Sequence, residues 1–154
     1  MKVTDHVSYK EVIKSNTAAR KGIENIPSGE QMEKIKLLCE NVFEPLRKHV
    51  GGPIAINSVF RSPQLNIAIG GAASSQHCAN NGAAMDIDDT YGSMSNADMF
   101  EFIKDNLDFD QLIWEFGTDE NPNWVHVSYK TRDNRKQILK CNKVKGKTVY
   151  SIYS

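Results

Sequence analysis

The stretch SSQHCANNGAAMDIDD, residues 74–89, brings a histidine and three aspartates close together in the chain. Charged and apolar residues alternate at its end, so Asp86 and Asp88 would share one face of a strand. Histidine and aspartate are common metal ligands, and the competing interpretation is a polar loop that leads into an edge strand. The stretch therefore indicates a metal site only if the rest of the chain supplies a further ligand.

Among the four histidines, one besides His77 lies in a pattern suited to metal binding. His6 belongs to a polar N-terminal segment, and His49 falls in the last turn of a predicted helix, where the helix dipole favours a cation. His126 lies inside the alternating strand WVHVS and shares a face with Trp124 rather than with the valines. His126 is therefore the candidate partner of His77.

Two imidazoles and one carboxylate form the kind of three-ligand set that catalytic zinc sites use, with a fourth position left for water. We therefore predict a Zn²⁺ site formed by His77, Asp86 and His126. Zinc lowers the pKa of its bound water from about 16 to about 7, and a nearby carboxylate must then pass a proton to the leaving amine. Glu115 can reach that position if its strand pairs with the strand of His126.

Capping signals and hydrophobic periodicity predict the elements that must position these residues. Ser28 and Gln31 form a capping box at the start of a long helix. Pro45 should kink or tighten this helix, and Gly51-Gly52 ends it. The remaining predicted elements are a strand at 53–60, a short helix from Ser62-Pro63 to Gly70-Gly71, a strand at 83–89, a helix from Ser95 to about Leu107, strands at 109–116 and 123–130, and short strands at 137–141 and 148–153. Helices precede a mostly antiparallel sheet, which predicts an α+β fold with N-terminal helices packed on the sheet.

Length and composition indicate one soluble globular domain over residues 1–154, with a polar lead-in at 1–27 that wraps it. Lys+Arg and Asp+Glu both total 19, which argues against a general polyanion binder. The basic residues between 130 and 147 are interpreted as a solvated surface, because the aromatic-basic interleaving of nucleic-acid binders is absent from the sequence. We expect a monomer without a nucleic-acid partner.

The N-terminal segment lacks the apolar core of a signal peptide, and no stretch could span a membrane. We expect a protein made in the cytoplasm, without membrane insertion; export by a host or phage route would leave no trace in the sequence. The cysteines Cys39, Cys78 and Cys141 form no C-x-x-C pair, so structural disulfides are not expected. Cys78 could serve as a nucleophile or zinc ligand beside His77, but adjacent residues usually point apart.

Four segments, INSVFRSPQLNIAIGGAASSQH, GAAMDID, QLIWEF and WVHVSY, resemble the zinc D-Ala-D-Ala carboxypeptidase family. These metallo-DD-peptidases have the Hedgehog/DD-peptidase fold and cleave peptidoglycan stem peptides of bacteria. The resemblance runs from about residue 53 to 130, and VIKSNTAARKGIENIP resembles the lead-in of phage-type members. The family patterns Ser-x-x-Arg, Ser-x-His, Gly-x-Ala-x-Asp and Trp-x-His correspond to Ser58 with Arg61, Ser75 with His77, Gly82 with Asp86, and Trp124 with His126.

The resemblance implies zinc binding by His77, Asp86 and His126. It implies that Arg61 holds or polarises a substrate carbonyl or carboxylate, to which the guanidinium geometry is suited. The alternative is a strand-end arginine paired with an acidic neighbour. Ser75 and Gln76 would line the substrate site.

Two departures from the family pattern concern the spacing of the ligands and the base. The family usually separates its first histidine from its aspartate by six residues, whereas eight separate His77 and Asp86. A loop bulge within CANN could accommodate the two extra residues. The usual spacing, counted from His77, would place the second ligand at Ala84, which cannot bind metal. Asp86 is therefore the predicted ligand, and Asp88 is the alternative. Many relatives carry an acid two or three residues before the last histidine, where this chain has asparagine and tryptophan. Glu115 is the predicted replacement, with Asp119 and Glu120 as alternatives.

The leading functional hypothesis is a zinc peptidase acting on stem peptides that contain D-amino acids. It could be a carboxypeptidase that removes a terminal D-Ala or an endopeptidase that cuts between L-Ala and D-Glu, because the sequence does not display the pocket that sets specificity. The alternative is a noncatalytic, zinc-stabilised domain of the same fold that binds the cell wall.

Overall fold

The computed structural model describes residues 1–153; Ser154, the end of the predicted domain, lies outside the described residues. The elements are, in chain order, β1 (Lys2–Thr4), β2 (Val7–Ser8), α1 (Tyr9–Ile13), α2 (Asn16–Lys21), α3 (Gly29–Leu38), a π-helical segment (Cys39–Phe43), α4 (Glu44–Val50), β3 (Ala55–Ser58), α5 (Pro63–Ala68), a 3₁₀ turn (Gln76–Cys78), β4 (Ala83–Asp88), α6 (Asn96–Asn106), β5 (Gln111–Glu115), β6 (Trp124–Tyr129), β7 (Gln137–Val144) and β8 (Lys147–Ile152). Within residues 1–153, no helix combines the length and apolarity needed to cross a bilayer.

Six strands form one mixed sheet in the order β3-β4-β6-β5-β7-β8, and β1 and β2 form a separate pair. Neighbouring strands of the large sheet are antiparallel except β5 and β7, which are parallel. The α+β prediction, with helices on a mostly antiparallel sheet, is therefore confirmed.

The two faces of the sheet differ in chemistry. One face packs against the helices and carries fully buried apolar side chains of the central strands, namely Met85, Ile87, Leu112, Val125 and Val127. Because side chains alternate along a strand and directly paired residues share a face, the register places Asp86, His126, Ile113 and Glu115 on the opposite face. We call this second face the site face.

The long helix predicted over residues 28–50 is interrupted. Its capping box at Ser28 and Gln31 is present, and α4 ends at Gly51 in the left-handed conformation at φ 73°. Just before Pro45, however, the helix widens into the π-helical segment instead of tightening. Proline has no N–H, and its ring clashes with the carbonyl four residues earlier. A wide turn relieves that clash at Asn41 and explains the difference from the prediction.

The lead-in at 1–27 does more than wrap the surface. Its buried residues Val7 and Val12 belong to the main core. Asn25 donates from its side-chain amide to the carbonyl of Phe60 (3.0 Å) and accepts from the backbone N–H of Ser62 (2.7 Å). These bonds hold both neighbours of Arg61, so the lead-in positions that residue.

Candidate active site

His77, Asp86 and His126 converge on the site face. One possible ligand atom from each lies within 4.8 Å of the other two. Asp86 Oδ2 is 3.3 Å from His77 Nε2, and Asp86 Oδ1 is 3.0 Å from His126 Nδ1. The structure thus brings together the three residues that the sequence analysis selected, and their role as zinc ligands stays a prediction.

The sheet register and one short turn position the three side chains. Asp86 on β4 lies directly opposite His126 on β6, so both side chains project from the same face. His77 comes from the 3₁₀ turn before β4, which begins where the Ser75 hydroxyl accepts from the backbone N–H of His77 at 3.2 Å.

A backbone contact fixes the ring of His77. Its Nδ1 lies 2.8 Å from the carbonyl oxygen of Val59, and the ring is 2% exposed. A carbonyl can only accept, so Nδ1 donates to Val59, and Nε2 is the ring nitrogen directed at Asp86. Metal-binding histidines are typically oriented in this way by a bond from the second nitrogen.

The extra residues between His77 and Asp86 are absorbed by a tight loop. The 3₁₀ turn ends at Ala79 with φ 56°, and Gly82 has φ 82° just before β4. A Cβ at Gly82 would lie 2.6 Å from the carbonyl oxygen of Tyr129, so the strand approaches too closely for any other residue. Asp88, the alternative ligand, lies outside the cluster and accepts from the side-chain amide of Asn96 at 2.7 Å.

The donor set fits a zinc ion. Burial opposes ionisation of Asp86, but His77 and His126 outweigh it and hold the pKa of this carboxyl well below its usual range. Zinc binds nitrogen and oxygen donors at about 2 Å in tetrahedral geometry, which separates neighbouring donors by roughly 3.3 Å. Asp86 presents a different oxygen to each ring, Oδ2 to His77 at 3.3 Å and Oδ1 to His126 at 3.0 Å, so its carboxylate lies between two nitrogen donors.

Glu115 is a buried carboxylate on the site face. It ends β5 opposite Trp124 and is 7% exposed. Burial raises the pKa of Glu115, whereas the nearby His126 lowers it. The alternatives occupy the turn after β5: Asp119 forms an exposed ion pair with Lys140, and Glu120 is exposed. The buried position on the site face favours Glu115 over these two, and its role as the base stays a prediction.

Arg61 lies beside the cluster without an acidic partner among residues 1–153. Its Nη2 donates to the Ser75 hydroxyl at 3.0 Å, and its backbone N–H donates to the carbonyl of His77 at 2.9 Å. Its Nε is buried and bonds to no described residue. Burial lowers the pKa of Arg61, and the charge of Asp86 opposes that effect. The predicted alternative, an arginine paired with an acidic neighbour, does not describe this contact pattern.

Gln76 stabilises the 3₁₀ turn that carries His77. Its side-chain amide donates to the carbonyl of Asn81 and to Asp110 Oδ2, both at 2.9 Å. Asp110 is itself buried and accepts a two-point contact from Arg135 at 3.0 and 2.7 Å. The Gln76 side-chain oxygen bonds to no described residue, and its predicted role in substrate binding stays a prediction.

The three cysteines are free and buried. Burial raises the pKa of Cys78, so its thiol stays protonated and is poorly suited to act as the nucleophile considered from the sequence. Cys141 on β7 lies directly beside Glu115, and burial together with that carboxylate raises the pKa of its thiol to about 12. No sequence pattern indicates this position of Cys141, because it depends on the parallel pairing of β5 and β7.

The site thus combines three possible metal ligands, a buried glutamate and an arginine with no acidic partner among residues 1–153, groups that metal-dependent hydrolases use. The family model Peptidase M15 matches residues 5–128. The match covers more than half of the chain, which therefore belongs to this family of metallopeptidases. The resemblance inferred from the sequence motifs is confirmed. No curated protein matches the chain.

Proposed function

We propose that the protein is a zinc-dependent peptidase that hydrolyses D-amino-acid-containing stem peptides of peptidoglycan. The observation that supports this proposal best is the cluster of His77, Asp86 and His126 on the same sheet face as Glu115. Because the chain belongs to a peptidase family, we assign hydrolysis of an amide bond to this cluster.

Each residue has a defined task in that reaction. His77, Asp86 and His126 would hold the zinc ion, which supplies Lewis acidity and lowers the pKa of water when bound. Glu115 would accept a proton from the attacking water and deliver it to the departing amide nitrogen. Its burial suits this task, because burial raises the pKa of the carboxyl group, and a general acid–base catalyst works best when its pKa lies near the working pH.

Arg61 would bind the substrate beside the metal. Its guanidinium has a buried Nε without a partner among residues 1–153, and a carbonyl or carboxylate oxygen of the substrate would satisfy it. Ser75 bonds both Arg61 and the backbone of His77, so it links the substrate-binding residue to the metal site.

Mass spectrometry of purified stem peptides, incubated with zinc-loaded protein, tests the proposal. A carboxypeptidase would release the terminal D-Ala from a pentapeptide, and an endopeptidase would separate L-Ala from D-Glu. Peptides with all-L residues serve as the control. Cleavage should stop on chelation and return when zinc is added. Stem peptides that bind without being cut would instead support the noncatalytic wall-binding domain.

Replacing Arg61 with lysine should lower kcat/KM for the stem peptide by about tenfold or more, because the charge stays but the forked donors are lost. Zinc content and melting temperature should hold. Steady-state kinetics and elemental analysis measure both effects, with the exposed Arg20→Lys as matched control. Wild-type kinetics for Arg61→Lys would exclude Arg61 from substrate binding.

A further inference from the structure

The C-terminal hairpin of β7 and β8 extends the site face beyond the residues that the family model matches. Parallel pairing places Cys141 beside Glu115, and antiparallel pairing places Tyr150 beside Cys141. Residues paired in this way share a face. Glu115, Cys141 and Tyr150 therefore form a row across three strands, and the last two lie after residue 128, where the family match ends.

Tyr150 lies on the site face, two strands from Glu115. Because neighbouring strands are spaced by about 4.8 Å, β8 lies roughly 10 Å from β5, a distance that about three residues of an extended bound peptide can span. Burial and the charge of Glu115 raise the pKa of Tyr150 to about 12, so its hydroxyl stays protonated and can donate a hydrogen bond.

The hydroxyl of Tyr150 is available to a ligand. Its cross-strand neighbour on β7 is Cys141, and a thiol is only a weak hydrogen-bond partner. A peptide carbonyl is a stronger acceptor for the phenol hydroxyl. The residue as a whole is 55% exposed, so a substrate can reach it.

We propose that Tyr150 is a substrate-binding residue that donates a hydrogen bond to a backbone carbonyl of the peptide substrate, across the metal cluster from Arg61. This inference rests on the proposed function. Arg61 comes from the loop after β3, at one edge of the sheet, and Tyr150 from β8 at the other. A peptide lying over the metal cluster would then be held from both sides.

Tyr150→Phe tests the inference, because it removes the hydroxyl and keeps the ring. The loss of one hydrogen bond made equally in bound substrate and transition state should raise KM about fivefold and leave kcat within about twofold. Val149→Ala is the control, since Val149 is the preceding residue on the opposite face of β8 and is 43% exposed. Its KM should match that of the wild type, and zinc content should be equal in all three proteins.

A calorimetric titration of the stem peptide into zinc-loaded Glu115→Gln protein, with and without Tyr150→Phe, gives a second readout. The added substitution should weaken binding by the same factor, about fivefold. Cleavage by the wild type, together with an unchanged KM and affinity for Tyr150→Phe, would overturn the role of Tyr150 alone. A wild type that neither cleaves nor binds the stem peptide would overturn the proposed function and this inference together.

Discussion

Glu115→Gln should lower the turnover of stem peptides by about 10²–10⁴-fold, the usual contribution of general acid–base catalysis. Glutamine keeps the shape of the side chain but cannot carry the proton to the leaving nitrogen. Zinc content and thermal stability should change little, because Glu115 is not one of the three converging residues. Single-turnover kinetics with zinc-loaded protein, followed by mass spectrometry, measures the effect.

Two substitutions in the turn after β5 serve as controls for Glu115. Asp119→Asn and Glu120→Gln alter exposed carboxylates and should leave turnover unchanged. A large loss in either one, with a normal rate for Glu115→Gln, would transfer the role of base to the turn.

Asp86→Ala should abolish zinc binding and, with it, peptide hydrolysis. The substitution removes the carboxylate that lies between the two histidines and leaves two neutral ligands, which hold a divalent cation poorly. Elemental analysis after dialysis should show about one zinc per wild-type chain and none in the variant. Because a ligand bound only to the folded state stabilises it, chelation should lower the melting temperature of the wild type and leave that of the variant unchanged.

Asp88→Ala is the matched control for Asp86, because Asp88 lies two residues further along β4. Its carboxylate bonds to Asn96 outside the cluster, so the variant should keep a full complement of zinc. Zinc retained by Asp86→Ala and lost by Asp88→Ala would reverse the assignment of the ligand.

The local pattern of the sequence was sufficient to select the residues that converge. Alternation along β4 and β6 sets Asp86 and His126 apart from the apolar residues beside them, and this follows from the strand period alone. The family motifs then added Arg61 and Ser75, which the structure places in contact with each other. The helix ends could be predicted equally well, because Ser28 and Gly51 cap their helices through hydrogen bonds to residues three or four positions away in the chain.

Features that depend on pairing between distant segments could not be predicted from the local sequence pattern. The direct opposition of Asp86 and His126 depends on strand register, which a sequence with no hairpin between them does not specify. Cys141 and Tyr150 join the site face only because β7 pairs in parallel with β5, a long-range choice. The π-helical segment also escaped prediction, because proline signals an irregularity but not whether the helix widens or tightens.

The order of the strands has a consequence for synthesis on the ribosome. All three converging residues precede residue 127, whereas β7, which pairs with β5 beside Glu115, begins at Gln137. Because domains generally fold as units, we expect the site face to form only after β7 and β8 have left the ribosome. Until then the edge of β5 beside Glu115 is unpaired, and an unpaired strand edge is a place where another chain can pair.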